Sequence, residues 1–317
     1  MGTNTFLLLV AKWDAAEQHL SVLEDRVAVV RLGENVARTG RIRESSIERA
    51  IEVVKFYNNL CLIRQVALIW MVGTEVFRRS LNAIDVVEKL RKYFTAPSSV
   101  VILSPAEEAR LSLYGAVFGD FPDGPITVVD IGGGSTEIVY GSRMEINSFV
   151  SIPIGAVWLQ EHIDAKGWDI QESMSFVSDI LRKWLPPIPQ LPGHAYAVAG
   201  TPITLAGLLA GLPYQRWWEV HGALLTRHEV TCLLQWLWNT PIEERRRHPA
   251  IHPQRADILP GGTLILAAIM EALQLSAVRV SIYGLRYGAL YEKLKDWEGV
   301  DIARLGSLKV SYGPRSL

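Results

Sequence analysis

Short apolar runs along the chain are separated by amphipathic stretches, and the succession of the two periods predicts strands alternating with helices. Phe6 to Lys12 reads as a strand, followed by a polar turn and two further strand-like runs near His19 to Leu23 and Arg26 to Arg31, which together make a meander. Ser45-Ser46-Ile47-Glu48 has the spacing of a capping box and opens an amphipathic helix with Ile47, Ile51, Val54 and Tyr57 along the face expected to cover the sheet. Val66 to Val72 is a continuous apolar run of the buried parallel kind, Gly73-Thr74 turns it into a helix, and Val100 to Leu103 repeats the strand. Ser104-Pro105-Ala106-Glu107 joins an N-cap, a first-turn proline and an acidic first turn, so a helix is expected from about Pro105 to Phe118. The alternation places the chain in the α/β class.

Phe121-Pro122-Asp123-Gly124-Pro125 breaks the pattern and marks a domain boundary. The expected division is a first domain over residues 1–121, a second over 122–290, and a C-terminal helix and tail over 291–317 that packs back on the first. Beyond the break come a glycine turn, a strand pair through Phe149 and a helix from about Gly155. Pro186, Pro187, Pro189 and Pro192 read as a rigid connector. Ala195 to Ala199 is a short strand leading into Gly200-Thr201-Pro202, Thr226 to Glu229 caps a helix running to about Asn239, and Gly262 to Leu275 is a helix apolar enough to be buried. Val278 to Tyr283 is a strand, Gly284 starts the last long helix, and Gly306 to Leu317 read as loosely structured.

The chemistry concentrates in the glycine turn. In Val128-Val129-Asp130-Ile131-Gly132-Gly133-Gly134-Ser135-Thr136-Glu137 an apolar strand carries a carboxylate at its end, passes through consecutive glycines and two hydroxyls, and resumes as a strand at Ile138. Glycines let successive N–H groups converge on phosphate oxygens, and Asp130 is placed to hold Mg2+, which takes oxygen ligands and is often shared with substrate phosphates. An isolated run of glycines is as often a solvated hairpin. This one has a counterpart in Gly2-Thr3-Asn4-Thr5 followed by the apolar Phe6 to Val10, and aligning Gly2 with Gly132 puts Thr5 on Ser135. Two such turns about 130 residues apart suggest a duplicated half with one phosphate clamped between the copies.

Composition narrows the class. With 317 residues, 49% of them hydrophobic, and a net charge of -1, the chain can bury sizeable cores and argues against a general nucleic-acid coat. Its two cysteines, Cys61 and Cys232, lie in apolar helix-like runs without paired spacing, so buried thiols are expected rather than disulfides or a zinc knuckle. No stretch has the length of a membrane span and no signal segment follows Met1, which predicts a cytoplasmic protein with neither membrane nor nucleic acid among its partners. Arg245-Arg246-Arg247-His248 follows Glu243-Glu244 and reads more readily as a solvated helix end than as a polyanion track. His248 and His252 have helical spacing, but Pro249 and Pro253 argue against a metal-binding helix. The ten tryptophans are assigned to packing in the core and at domain faces.

Taken with Glu107-Glu108-Ala109-Arg110-Leu111, Gly73-Thr74 with Arg78 after it, and Gly284-Leu285-Arg286, the segment from Asp130 to Glu137 carries a family likeness. From Gly2 to about Leu294 the chain resembles the exopolyphosphatase and guanosine pentaphosphate phosphohydrolase family. The resemblance implies two actin-like (ribonuclease H-like) α/β domains with a phosphate cleft between them, in the short form without a helical C-terminal extension. It implies Glu108 as the group that activates the attacking water, and Asp130 and Glu137 as carboxylates that hold the cation, Mg2+. The phosphate would be held by Gly2, Thr3, Asn4, Thr5, Gly132, Gly133, Gly134, Ser135 and Thr136, with Arg78 and Arg255 as basic positions toward the anionic substrate. A link to the stringent response follows from guanosine pentaphosphate as substrate, and a homodimer is left open. The chain departs from the family pattern at Leu7, where many relatives carry a His or Arg, and the family's Asp two residues before Gly2 falls upstream of Met1.

Elementary chemistry supports these roles. Cleaving a polyanion's end needs charge neutralisation and a base to orient water, and Glu108 in a first helical turn is kept ionised by the helix dipole. The sequence leaves three readings: a Mg2+-dependent phosphohydrolase acting on polyphosphate or guanosine pentaphosphate, an ATP-dependent kinase or ATPase with adenosine at the Gly200 turn, and a non-catalytic sensor of nucleotide or polyphosphate.

Overall fold

The structure is a computed structural model that describes residues 1–120, 122–142, 145–186, 193–298 and 309–312. Two compact units divide it, one built from residues 1–108 and the C-terminal residues from 289 on, the other from residues 109–288. The division falls inside the Pro105–Ala116 helix, between Glu108 and Ala109, and not at the break expected after residue 121. Phe121 itself lies outside the described residues, as do Pro187, Pro189 and Pro192 of the expected connector.

The strands of the first unit are β1 (Thr5–Asp14), β2 (His19–Val29), β3 (Ile69–Gly73) and β4 (Ser98–Ile102), and those of the second are β5 (Pro125–Ile131), β6 (Thr136–Ser142), β7 (Glu145–Ile152), β8 (His194–Val198), β9 (Leu224–Thr226) and β10 (Ala277–Val280), with β11 (Lys309–Tyr312) returning to the first. In the first unit β1 and β2 form a long antiparallel hairpin, β11 adds in parallel to β2, and β3 and β4 pair in parallel. The expected meander of three runs is therefore a hairpin, because Glu24-Asp25, which reads as a break, stays in one strand. Glu24 is 3% exposed and is paired with Arg26 and, at 2.7 Å, with Arg64, which removes the cost of carrying a charge inside the sheet. The third place in the sheet goes to β11, inside the tail expected to be loose; the remainder of that stretch lies outside the described residues.

The Glu44–Ile63 helix covers this core with Ile47, Ile51, Val54 and Tyr57, all buried, and the Tyr57 hydroxyl donates to the Phe6 carbonyl at 3.0 Å. Its start is not the expected capping box: the helix begins at Glu44 behind Arg43, and the Ser46 hydroxyl donates to the Arg31 carbonyl instead. The N-cap expected at Ser104 forms, and as a full capping box, with Ser104 N–H donating to Glu107 Oε2 at 2.7 Å and Glu107 N–H to Ser104 Oγ at 3.3 Å.

The second unit is built on one sheet in the order β7-β6-β5-β8-β10-β9. Strands β7, β6 and β5 run as an antiparallel meander, β5, β8 and β10 are parallel, and β9 closes the far edge antiparallel to β10. The Leu259–Ala272 helix is buried continuously from Leu259 to Met270, as its all-round apolar sequence requires. A side chain at Gly115 would place its Cβ 1.7 Å from the Gly284 carbonyl oxygen, and one at Gly288 would fall 1.9 Å from that of Leu111, so glycines let these two helix segments touch backbone to backbone. Of the cysteines, Cys61 is buried, which pushes its thiol up, but Cys232 is exposed, its Sγ 3.6 Å from His228 Nε2 one helical turn away. Trp217 is buried as expected, whereas Trp184 is 41% exposed.

Candidate active site

In the second unit the turn after β5 is held from behind. Gly132 N–H donates to the Ser135 carbonyl at 3.0 Å, closing the turn. The Ala156–Lys166 helix then caps its carbonyls: Ala156 N–H donates to Gly132 O at 2.9 Å, and Val157 and Trp158 N–H both donate to Gly133 O at 2.9 and 3.1 Å. The first N–H groups of a helix have no acceptor of their own, so here they are satisfied by the turn. With its carbonyls drawn into the helix, the turn presents the Gly133 and Gly134 N–H groups, which have no acceptor among the described residues, as donors for an anion. Contact this close needs Gly155, where a Cβ would lie 2.4 Å from Gly133 C and Gly134 N. Thr136 supports the turn from within, its buried hydroxyl donating to the Ile154 carbonyl at 2.7 Å.

Asp130 and Glu137 stand directly opposite each other on β5 and β6, and Ser151 on β7 stands opposite Glu137. Directly opposed residues share a face of the sheet, so two carboxylates and a hydroxyl form one row beside the turn. Asp130 is 8% exposed and Glu137 1%. Ser151 Oγ donates to Glu137 Oε1 at 2.7 Å, and Ser112 Oγ, from the Pro105–Ala116 helix, donates to Asp130 Oδ2. Burial pushes the Asp130 carboxyl above its ordinary value, against the opposing pull of the Ser112 hydroxyl. A hard cation bound by the Asp130 oxygens would offset the cost of burying that carboxylate. The residues present therefore fit Mg2+.

Arg255 lies flat on the start of the Gly200–Ala210 helix: a Cβ at Gly200 would fall 1.5 Å from its Nη1 and 2.0 Å from Cζ. Its Nε is buried without a hydrogen-bond partner among the described residues, and burial lowers the guanidinium to about 10. Ahead of it Ala199 holds φ 72° and ψ -170°, backbone that belongs almost wholly to glycine and that persists where the surroundings impose it. An uncompensated guanidinium beside free helix N–H groups is an anion receptor. The other basic run does not reach this state: Arg245 donates to the Thr240 and Ala256 carbonyls at 3.1 and 2.7 Å, and Arg246 pairs with Glu243 at 2.6 Å. His248 and His252 each accept a backbone N–H at Nδ1, from Ala250 and Gln254 at 3.2 Å, and they do not share a helix, since His248 ends the Ile242–Arg247 helix and His252 precedes the Pro253–Arg255 turn.

The first unit repeats the turn. Gly2 N–H donates to the Thr5 carbonyl at 2.9 Å, the same closure as Gly132 to Ser135. Its carbonyls are again held from behind, Thr3 O by Gly33 N–H at 2.8 Å and Asn4 O by Val30 and Arg31 N–H at 2.9 Å. Gly33 takes the part of Gly155, since a Cβ there would meet Thr3 Cγ2 at 2.2 Å. The Thr3 hydroxyl donates to Glu75 Oε2 at 3.2 Å, and the Asn4 amide is buried with neither its nitrogen nor its oxygen partnered among the described residues. Glu108, 7% exposed, accepts from Arg78 Nη1 at 2.6 Å, and the same nitrogen donates to the Leu103 carbonyl at 2.8 Å. Gly2 to Thr5, Arg78 and Glu108 thus gather in the first unit, and Asp130, Gly132 to Glu137 and Arg255 in the second.

Gly33, Gly155, Glu75, Ser112 and Ser151 are participants that sequence reading missed. Gly155→Ala is expected to push the turn away from its helix, lowering stability by about 1–3 kcal/mol and weakening substrate binding, as urea unfolding and KM measurements would show. An unchanged KM would mean that the turn does not depend on the close approach.

Residues 9–297 match the model of the Ppx/GppA phosphatase family. The chain is 29% identical over 285 residues to Exopolyphosphatase 2 of Mycobacterium tuberculosis, a match covering 86% of this chain and 89% of that protein. It is 25% identical over 319 residues to the guanosine-5'-triphosphate,3'-diphosphate pyrophosphatase of Vibrio vulnificus, covering 98% of this chain and 62% of that one. The crystal structure of the Ppx/GppA family member of Aquifex aeolicus superposes with a TM-score of 0.73 at 31% identity, over 94% of this chain and 96% of that one. That of an exopolyphosphatase-like protein superposes with a TM-score of 0.83 at 23% identity, over 92% and 95%, a likeness of fold.

Proposed function

The chain belongs to the Ppx/GppA phosphatase family, and on that ground we propose that it is a Mg2+-dependent phosphohydrolase releasing terminal phosphate from inorganic polyphosphate or guanosine pentaphosphate. The observation that carries the reading is the pair of turns closed by the same hydrogen bond, one of them beside a buried carboxylate that lacks a cationic partner among the described residues. In this reading the Gly133 and Gly134 N–H groups, the Ser135 hydroxyl and the Gly2 to Thr5 turn bind phosphate oxygens. Asp130 and Glu137 hold Mg2+, which when bound supplies positive charge to the phosphates of the substrate. Glu108, oriented by Arg78, accepts the proton of the attacking water, and Arg255 binds charge elsewhere on the polyanion. The unpartnered Asn4 amide is a further donor for the phosphate.

The ATP-dependent reading placed adenosine at the Gly200 turn; the Arg255 guanidinium lies on that glycine and favours an anion there instead. No helix among the described residues is long and apolar enough to cross a membrane, and a cytoplasmic location and a homodimer are part of the proposal. The test is phosphate release from polyphosphate, guanosine pentaphosphate and ATP, each with Mg2+ and with EDTA. Release from either of the first two, lost in EDTA, is expected. ATP turnover in preference to both, or tight binding without release, would replace the reading with the kinase or the sensor.

A further inference from the structure

Several serines and threonines in this protein's helices or at their ends donate to the carbonyl one turn back. Ser80 donates to Val76, Ser173 to Asp169, Thr204 to Gly200, Thr231 to Arg227 and Thr263 to Leu259, each in its own helix or at its end. This local bond is the default for a hydroxyl whose neighbours are apolar. Ser112 departs from it, as Ser46 does in donating to the Arg31 carbonyl. Ser112 is fully buried, flanked by Leu111 and Leu113 that are also fully buried, and lies one turn beyond Glu108 on the same helix. Its hydroxyl reaches out of the helix to Asp130 Oδ2, eighteen residues along the chain.

We propose that Ser112 is a positioning residue for the cation site, fixing the Asp130 carboxylate through Oδ2 and leaving Oδ1 as the ligand oxygen. The inference rests on the reading that Asp130 holds the cation. A serine hydroxyl has one proton, and donating it to Oδ2 both stabilises the ionised form and selects one orientation of the carboxylate plane. Asp130 has no guanidinium or ammonium to do this among the described residues. The neighbouring carboxylate is held by the same device: Ser151, directly opposite on β7, donates to Glu137 Oε1 at 2.7 Å. Each acid of the row thus accepts from a hydroxyl, and at Asp130 that hydroxyl is a neutral donor that orients a ligand without competing with the cation for its charge. Outer partners of this kind set metal affinity, and their loss weakens it by about 10- to 100-fold.

The experiment is a titration of the full chain with Mn2+, read by its paramagnetic resonance signal, together with the Mg2+ dependence of phosphate release. Ser112→Ala is expected to weaken Mn2+ binding by about 10-fold or more and to shift half-maximal activation to higher Mg2+. Ser112→Thr, which keeps the hydroxyl, is expected to restore affinity. Ser112→Cys preserves the shape with a weaker donor and should fall between Ser and Ala, which keeps the test open if the alanine variant folds poorly. Unchanged Mn2+ affinity in Ser112→Ala overturns the inference, as does a wild-type protein that binds no Mn2+. So does equal loss in the Ala and Thr variants alongside a lowered melting temperature, the mark of packing alone. Mn2+ binding that follows the hydroxyl in a protein releasing no phosphate would sustain the inference and remove the phosphohydrolase reading.

Discussion

Glu108→Gln is expected to lower phosphate release by about 10²- to 10⁴-fold while substrate affinity stays within a few fold. A group that takes the proton of the attacking water acts in the transition state, so its loss falls on kcat and not on binding. The structure makes the substitution a clean one. Gln keeps an oxygen that can accept from Arg78 Nη1, which also remains bonded to the Leu103 carbonyl, so the guanidinium is not abandoned in the interior. What disappears is the carboxylate charge, and with it the basicity. Breaking the ion pair will also lower the melting temperature, but modestly, because Arg78 is 20% exposed and solvent shares its charge. Glu107 is the internal control. Its carboxylate accepts from Ser104 N–H and Oγ as one half of the capping box, a position where Gln serves as well as Glu, so Glu107→Gln should leave turnover nearly intact. Equal loss of kcat and affinity in Glu108→Gln would assign Glu108 to substrate binding and leave the base unidentified.

The contrast between these two adjacent glutamates shows what the sequence could carry. Capping chemistry is local, and the boxes at Ser104–Glu107 and Thr226–Glu229 form as their spacing predicts. At Ser45 the same spacing misleads, because the helix starts two residues earlier, behind Arg43, and leaves Ser45 inside it, with the next hydroxyl, Ser46, bonded to the Arg31 carbonyl. The glycine turns were legible for the same reason as the caps: their closing bond spans three residues, so it is written in a short stretch of chain. Gly33, Gly155, Ser112 and Ser151 were not, since each matters through an element that only folding brings to the turn or to its carboxylates. The acidic pair Glu24-Asp25 reads as a break until Arg64 arrives from the end of a helix to pair with Glu24. Strand β11 has four residues, too few for a period to show.

Asp130→Asn is expected to abolish Mg2+-dependent turnover, by at least about 10²-fold, and at the same time to stabilise the metal-free protein. The two effects have one cause. Burial raises the Asp130 carboxyl above its ordinary 3.8, with the Ser112 hydroxyl only partly opposing it, so the folded protein disfavours ionising it. The stability that proton binding contributes is fully present below that ordinary value and is lost as pH rises through the raised folded one. In EDTA, then, wild type should gain melting temperature relative to Asp130→Asn on acidification through that window, and as pH rises out of it the variant should melt higher than wild type. The amide can still accept the Ser112 proton, so packing and hydrogen bonding survive the change. Adding Mg2+ should reverse the order, since a ligand that binds only the folded state stabilises it, and the variant has lost the oxygen charge that binds it. Melting curves of both proteins with EDTA and with Mg2+, beside phosphate release, decide the matter. A variant that melts lower than wild type in EDTA would make the carboxylate a structural acceptor, and one that keeps wild-type turnover at the same Mg2+ would place the metal elsewhere. Higher stability without metal, lower stability with it and no turnover would identify Asp130 as a group whose unfavourable burial is maintained for the cation.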